Sequence, residues 1–219
     1  MINFIVVIYT LSLSIFVISF FFKGVIQSKK LLTLAILEST IFIFTVFGLF
    51  TYYILKMKNN LFIYHILAPL QYFFTIKLLA LYYTNKKILI FLNYLSPIII
   101  ALNIIFSIFF QKITEYNSYA LLLNNTIIGF LSIILLREAL NEFESELVFA
   151  KYWVAFGLFI NSFFAFFIQG FMNFFIVKRI DFAFNLYKVE MLTYTLSTFL
   201  LIKAFFSEYK LTKRGNGNK

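Results

Sequence analysis

Three ionisable residues, Glu38, Lys77 and Lys203, sit inside long apolar stretches of this 219-residue chain. An ionisable side chain within a membrane-spanning helix is costly and marks a site by default. A carboxylate at Glu38 could bind a cation, relay a proton or hold a ligand amine; a protonated or hydrogen-bonded packing group is the alternative. It lies seven residues into its apolar stretch, about 10 Å from the nearer end, too far for a short side chain to reach the interface. It shares a helical stripe with Ala35, Thr45, Gly48 and Tyr52, and small or polar residues of this kind face other helices or a water-filled cavity. Lys77 lies opposite the polar stripe of its own helix, formed by His65, Ala68, Gln71 and Thr75. Lys203 likewise lies off the stripe of Glu190, Thr193 and Ser197. Both lysines are therefore expected to snorkel to the interface, and only a kink at Pro69 would turn Lys77 towards Glu38.

A second polar face carries Ser162, Ala165, Gln169 and Asn173. Interhelical hydrogen bonding explains such a face; the functional alternative is that it lines a central pocket. The expected ligand-binding set is Glu38, His65, Gln71, Asn161, Gln169, Asn173 and Tyr194. Catalysis has no comparable support. The chain has no Gly-rich phosphate loop, HExxH or GxSxG motif, one His and no Cys. No enzyme activity, metal or cofactor is expected. Lys203 in a seventh span is similar to the lysine of retinal-binding rhodopsins, but no Asp stands in the third span to serve as its counter-ion.

The elements that must position these residues are apolar helices. Hydrophobic residues form 62% of the chain and charged residues 13%, against about 25% charged in a soluble domain. Lipid can act as solvent for so much apolar side chain. Seven spans are expected: Asn3–Phe22, Leu31–Leu55, Leu61–Tyr83, Ile88–Phe110, Tyr119–Leu136, Tyr152–Phe175 and Val189–Phe206. The shorter ones reach roughly 27–30 Å, the thickness of the hydrocarbon core. The first span has no basic region before it and no small-residue cleavage site after it, so it reads as a retained helix. The fold class is all-α, a seven-helix transmembrane bundle over residues 1–206 with a basic, frayed cytoplasmic tail over 207–219.

Charge sets the orientation. Of the Lys and Arg residues outside the spans, six fall on one side and eleven on the other. The richer side is cytoplasmic by the positive-inside rule, giving N-out and C-in. The net charge of +10 reads as topology and contact with anionic membrane lipids, not nucleic-acid binding. Between Arg137 and Lys151, Glu138, Glu142, Glu144 and Glu146 cluster on a helix-prone segment. It reads first as a solvated helix extension, and alternatively as a docking surface for a basic partner.

An internal echo links ESTIFIFTVFG (Glu38–Gly48) with NSFFAFFIQG (Asn161–Gly170), with a one-residue gap. FFTIKLLALYY (Phe73–Tyr83) pairs similarly with FLLIKAFFSEY (Phe199–Tyr209). The second and third spans would then correspond to the sixth and seventh, a 3+1+3 arrangement of parallel repeats of the kind that builds small transporters.

Glu38, the IYHILAPLQYF opening of the third span and the YWVAFGLFINSFF opening of the sixth resemble small uncharacterised seven-helix membrane proteins of Bacteroidetes. The likeness covers most of the chain, although the Pro expected shortly before Trp153 is missing. Such proteins accompany sensor kinases, so the resemblance implies a sensing role and a membrane-bound kinase as partner. The leading expectation is a non-enzymatic receptor or sensor module in a bacterial cytoplasmic membrane, holding a small apolar ligand or lipid. The alternatives are a small 3+1+3 transporter with Glu38 at the substrate or proton site, and a structural subunit of a membrane complex.

Overall fold

Apolar runs punctuated by Lys, Asn and Ser must satisfy their backbone groups within each segment, which in lipid an isolated strand cannot do. The computed structural model describes residues 2–56, 60–142 and 146–217, and no strand occurs among them. The helices are α1 (Ile2–Ser19), α2 (Lys23–Gln27), α3 (Lys29–Tyr53), α4 (Phe62–Tyr82), α5 (Lys86–Ile105), α6 (Ser118–Asn141), α7 (Glu146–Lys178) and α8 (Ile180–Gly217), with a π-helical turn at Phe106–Phe110 closing α5. Six of them, α3 to α8, are long and apolar enough to cross a membrane; α1 is apolar but shorter. The protein is thus helical and membrane-embedded by composition.

Local chemistry explains several boundaries. The Ser28 side chain accepts from the Leu31 N–H at the start of α3, and Asn85 accepts from the Lys87 N–H at the start of α5, satisfying donors that no helical carbonyl reaches. Between α5 and α6, Gln111 donates to the Tyr116 carbonyl and Ser118 Oγ and accepts from the Tyr119 N–H, each within 3.1 Å. His65 Nε2 contacts the Glu115 carbonyl at 3.0 Å, tying the same segment to α4.

Some helices differ from the expected spans. The first breaks after Ser19 into a turn and the short α2. The last two are longer: α7 starts at Glu146 rather than Tyr152, and α8 runs from Ile180 through the tail to Gly217. Hydropathy marks the lipid-facing part of a helix, whereas backbone hydrogen bonding continues through polar residues. Asp181 in the first turn of α8 suits the positive end of the helix dipole. The tail is helical where it is anchored: Tyr209 packs on Phe22 and Phe205, and Glu208 meets Lys30 at 3.6 Å.

Helix α1 packs on α3 and α8, α3 on α4, α4 on α5 and α6, and α7 on both α6 and α8. Leu13, Phe16, Leu34, Leu37, Tyr72, Leu79 and Leu135 fill the centre with almost no exposed surface. Outward faces are lined with Phe, including Phe163, Phe167, Phe171 and Phe174 of α7, as a lipid-facing surface requires. A Cβ on Gly157 would meet Leu200 Cβ at 3.3 Å and the Ser197 carbonyl at 3.4 Å. Its absence lets α7 and α8 approach, and Ser197 Oγ donates to the Gly157 carbonyl at 2.9 Å.

One end of the bundle gathers paired charges. Lys151, buried at 4% exposure, lies 3.1 Å from both Glu138 and Glu142. Lys30 pairs with Glu208 and sits over the Tyr82 ring. Lys203 sits 3.7 Å above the Trp153 ring and Lys77 4.6 Å above Phe73; both are exposed, as their helical angles predict. The acidic segment therefore carries its own cation. Glu144 and the side chain of Glu146 lie outside the described residues.

Candidate functional site

Midway along the bundle, polar side chains from five helices face one narrow cavity. Tyr9 comes from α1, Glu38 from α3, Gln71 and Thr75 from α4, Asn161 from α7, and Tyr194, Ser197 and Thr198 from α8. Leu37, Ile41, Leu158 and Leu201 complete the wall. The open space inside holds about one or two water molecules. A second cavity of about one water lies beside it, lined by Ala68, Gln71, Tyr72, Leu121, Asn124, Asn125, Ile128 and Tyr194. Gln71 and Tyr194 belong to both walls.

Glu38 is 3% exposed. Among the described residues no hydrogen bond or ion pair engages its carboxylate. The Asn161 Oδ1 atom is also buried without a partner. By contrast, the hydroxyls of Ser197 and Thr198 are committed to the carbonyls of Gly157 and Tyr194. The cavity therefore presents a carboxylate and an amide oxygen, both able to accept from a water, a proton carrier or a small cation.

Next to it lies a closed hydrogen-bond network. Asn125 Nδ2 donates to Gln169 Oε1 at 2.7 Å; Gln169 Nε2 donates to Glu190 Oε1 at 2.6 Å and to the Tyr194 oxygen at 3.0 Å. Gln169 thus spends both N–H donors and an acceptor. Tyr116, in the segment between α5 and α6, also hydrogen-bonds Glu190. Burial, and then the nearby Glu190 charge, pushes the Tyr116 phenol well above its usual range, so it stays protonated and is the donor in that contact. Further along, Asn103 Nδ2 donates to Asn124 Oδ1 at 2.9 Å, and Asn124 Nδ2 reaches the Ala68 carbonyl beside Pro69 at 3.1 Å.

Of the expected site residues, Glu38, Gln71, Asn161 and Tyr194 share the first cavity. Gln169 joins them through Tyr194. His65 does not: it is buried at the end of the bundle bearing the 111–117 segment, where it holds Glu115. The side chain of Asn173 lies outside the described residues. Glu190 was absent from the expected set although it is 3% exposed. A span starting at Val189 sets it at the membrane edge, whereas α8 starts at Ile180, about 15 Å before it along the helix.

The repeated segments meet here too. Glu38 and Asn161 hold equivalent positions in the echo, as do Thr75 and Leu201, and, two residues upstream of the matched segment, Gln71 and Ser197; all six line the one cavity. Among the helix contacts, α1 lies on α8 and α6 lies on α4. No protein-family model matches the chain, and no curated protein or solved structure matches it.

Proposed function

We propose that the chain is a small carrier of a bacterial cytoplasmic membrane, with Glu38 at its proton or cation site. Its seven spans, α1 and α3 to α8, run N-out and C-in, so the Lys30 end is cytoplasmic. Helices α1, α3 and α4 form one half, α6, α7 and α8 the other, and α5 joins them. One observation carries this reading: equivalent residues of the two halves converge on a single water-sized cavity that contains a carboxylate without a counter-charge. Sites at the interface of parallel repeats, near the bilayer midplane, are how such carriers are built, and intramembrane acids mark proton and ion pathways. The polar lining and small volume favour a proton or small cation over the small apolar ligand or lipid of the receptor expectation.

The test is flux through the purified chain alone. In proteoliposomes loaded with a pH-sensitive dye, an external acid pulse should acidify the lumen, and Glu38→Gln should abolish the response while the protein stays folded. Absence of flux in the wild type would reject the carrier.

A sensor module that passes its state to a membrane partner, such as a kinase, is the second reading. The length of α8 favours it. At 38 residues this helix extends about 57 Å, far beyond a hydrocarbon core of about 30 Å, and offers a partner a continuous helical arm. Co-purification of a stoichiometric partner from native membranes, with no flux from the chain alone, would favour this reading over the first.

A further inference from the structure

Glu190 lines neither cavity, yet like Glu38 it is a carboxylate buried in the middle of the bundle, and among the described residues no cation pairs with it. Its neighbours are Gln169, Tyr116, Tyr64, Tyr187 and Tyr194, and Tyr9 of α1 lies within electrostatic range of both Glu190 and Glu38. Lys77 and Lys203 are on exposed faces. We infer that Glu190 is a proton-relay residue, which passes protons from the Tyr116 end of the bundle through the Tyr194 hydroxyl to Glu38. The inference rests on the carrier reading for its purpose, though not for its geometry.

Distance comes first. Glu190 Oε1 and the Tyr194 oxygen both contact Gln169 Nε2, at 2.6 and 3.0 Å. The two oxygens are therefore no more than 5.6 Å apart, the sum of those distances. The relay places one bridging water between them, held by two ordinary hydrogen bonds of about 2.8 Å. Beyond Tyr194 lies the cavity it shares with Glu38, which has room for about one or two waters.

Donor accounting then defines the path. The Tyr194 oxygen already accepts from Gln169, so its own O–H proton is free for the cavity and one lone pair remains. Protonated Glu190 gives its proton to the bridging water and becomes a carboxylate. The water hands a different proton to the Tyr194 oxygen, whose original proton leaves to cavity water and on to the Glu38 carboxylate. Each oxygen on the way gains one proton and loses one, and the net change is protonation of Glu38 and deprotonation of Glu190. Glu190 is then reprotonated from water at the Tyr116 end. Gln169 transfers nothing; as a positioning residue it fixes the separation of the two oxygens.

The full chain in lipid nanodiscs provides the test. Time-resolved infrared spectroscopy after an acid jump reads the carbonyl stretch of a newly protonated carboxyl, and the band that Glu38→Gln removes belongs to Glu38. Tyr194→Phe keeps the ring and removes the hydroxyl, and Glu190→Gln keeps the shape and removes the titratable group. Each should slow the rise of the Glu38 band at least ten-fold, with Glu190→Asp recovering part of the rate. Unchanged rates in Tyr194→Phe and Glu190→Gln would overturn the relay. So would a wild type in which Glu38 gives no carbonyl band but shows a sodium-dependent shift of its carboxylate stretch, since the site would then hold a metal cation. Relay without flux in vesicles would reject the carrier alone; flux with unslowed variants would reject the relay alone.

Discussion

Five acidic residues of this protein fall into two different environments. At the Lys30 end, Glu138 and Glu142 share Lys151, and Glu208 is met by Lys30. In the middle of the bundle, Glu38 and Glu190 are each 3% exposed, and no cation faces them among the described residues. Lysines were within reach in sequence, since Lys77 and Lys203 occupy α4 and α8, the helices beside these acids, yet both turn to the exposed surface over aromatic rings. Where an acid serves to hold helices together, it is paired. The two buried without a cation among the described residues sit against water-sized space or in a hydrogen-bond network beside it. An uncompensated carboxylate in low dielectric is expensive, and on the proposed reading that cost is borne for proton transfer.

The largest effect that would test this contrast is at the paired end. Lys151→Met should destabilise the fold by about 2–3 kcal/mol, less than a fully buried pair would lose because Glu142 is half exposed. A thermal melt in detergent would show a clear drop in Tm; an unchanged melt would mean the ion cluster holds nothing. Next, Gln169→Leu leaves Glu190, Asn125 and Tyr194 without their shared partner and should cost about 2 kcal/mol. Adding Glu190→Gln to that background should recover part of the loss, and strict additivity in the double-mutant cycle would show that the two residues are not coupled.

Glu38→Gln should behave in the opposite sense. Replacing an unpartnered carboxylate with a neutral isostere should leave stability unchanged or raise it by about 1 kcal/mol, while flux is lost. A large fall in Tm would reveal a structural partner for Glu38 and remove it from the unpaired class. The smallest effects belong to surface cations. Lys30→Met should cost less than about 1 kcal/mol, and Lys77→Ala should lie within about 0.5 kcal/mol of wild type. A larger loss at Lys77 would mean it does interact with the buried acids.

Much of this was legible in the sequence because lipid imposes simple rules. Helix after helix follows from apolar length, and Glu38 stands out because so few charges interrupt the second span. The outward turn of Lys77 and Lys203 follows from their angle to the polar stripes. Other features depend on register between helices, which no single helix encodes. The capture of Lys151 by Glu138 and Glu142 joins α7 to α6, and the use of His65 to hold Glu115 joins α4 to a connecting segment. Glu190 was missed for a boundary reason: Lys188 and Asn185 read as loop, but α8 carries them in regular helix, with the Lys188 ammonium bonded to Asn185 Oδ1 at 2.9 Å. The internal echo aligns Glu38 with Asn161, yet only packing brings the two side chains onto one cavity.

The unbroken course of α8 has a mechanical consequence. Glu190, Tyr194 and Ser197 stand on the same rod as Tyr209, which lies about 28 Å further along. The rod is braced near its middle where Ser197 grips the backbone of α7 at Gly157. A rigid lever pivoting at that brace converts a sideways shift of about 1 Å at Glu190 into one of about 1.7 Å, in the opposite sense, at Tyr209. Changes in what occupies the central cavity would thus be magnified at the basic end by leverage alone, without any hinge.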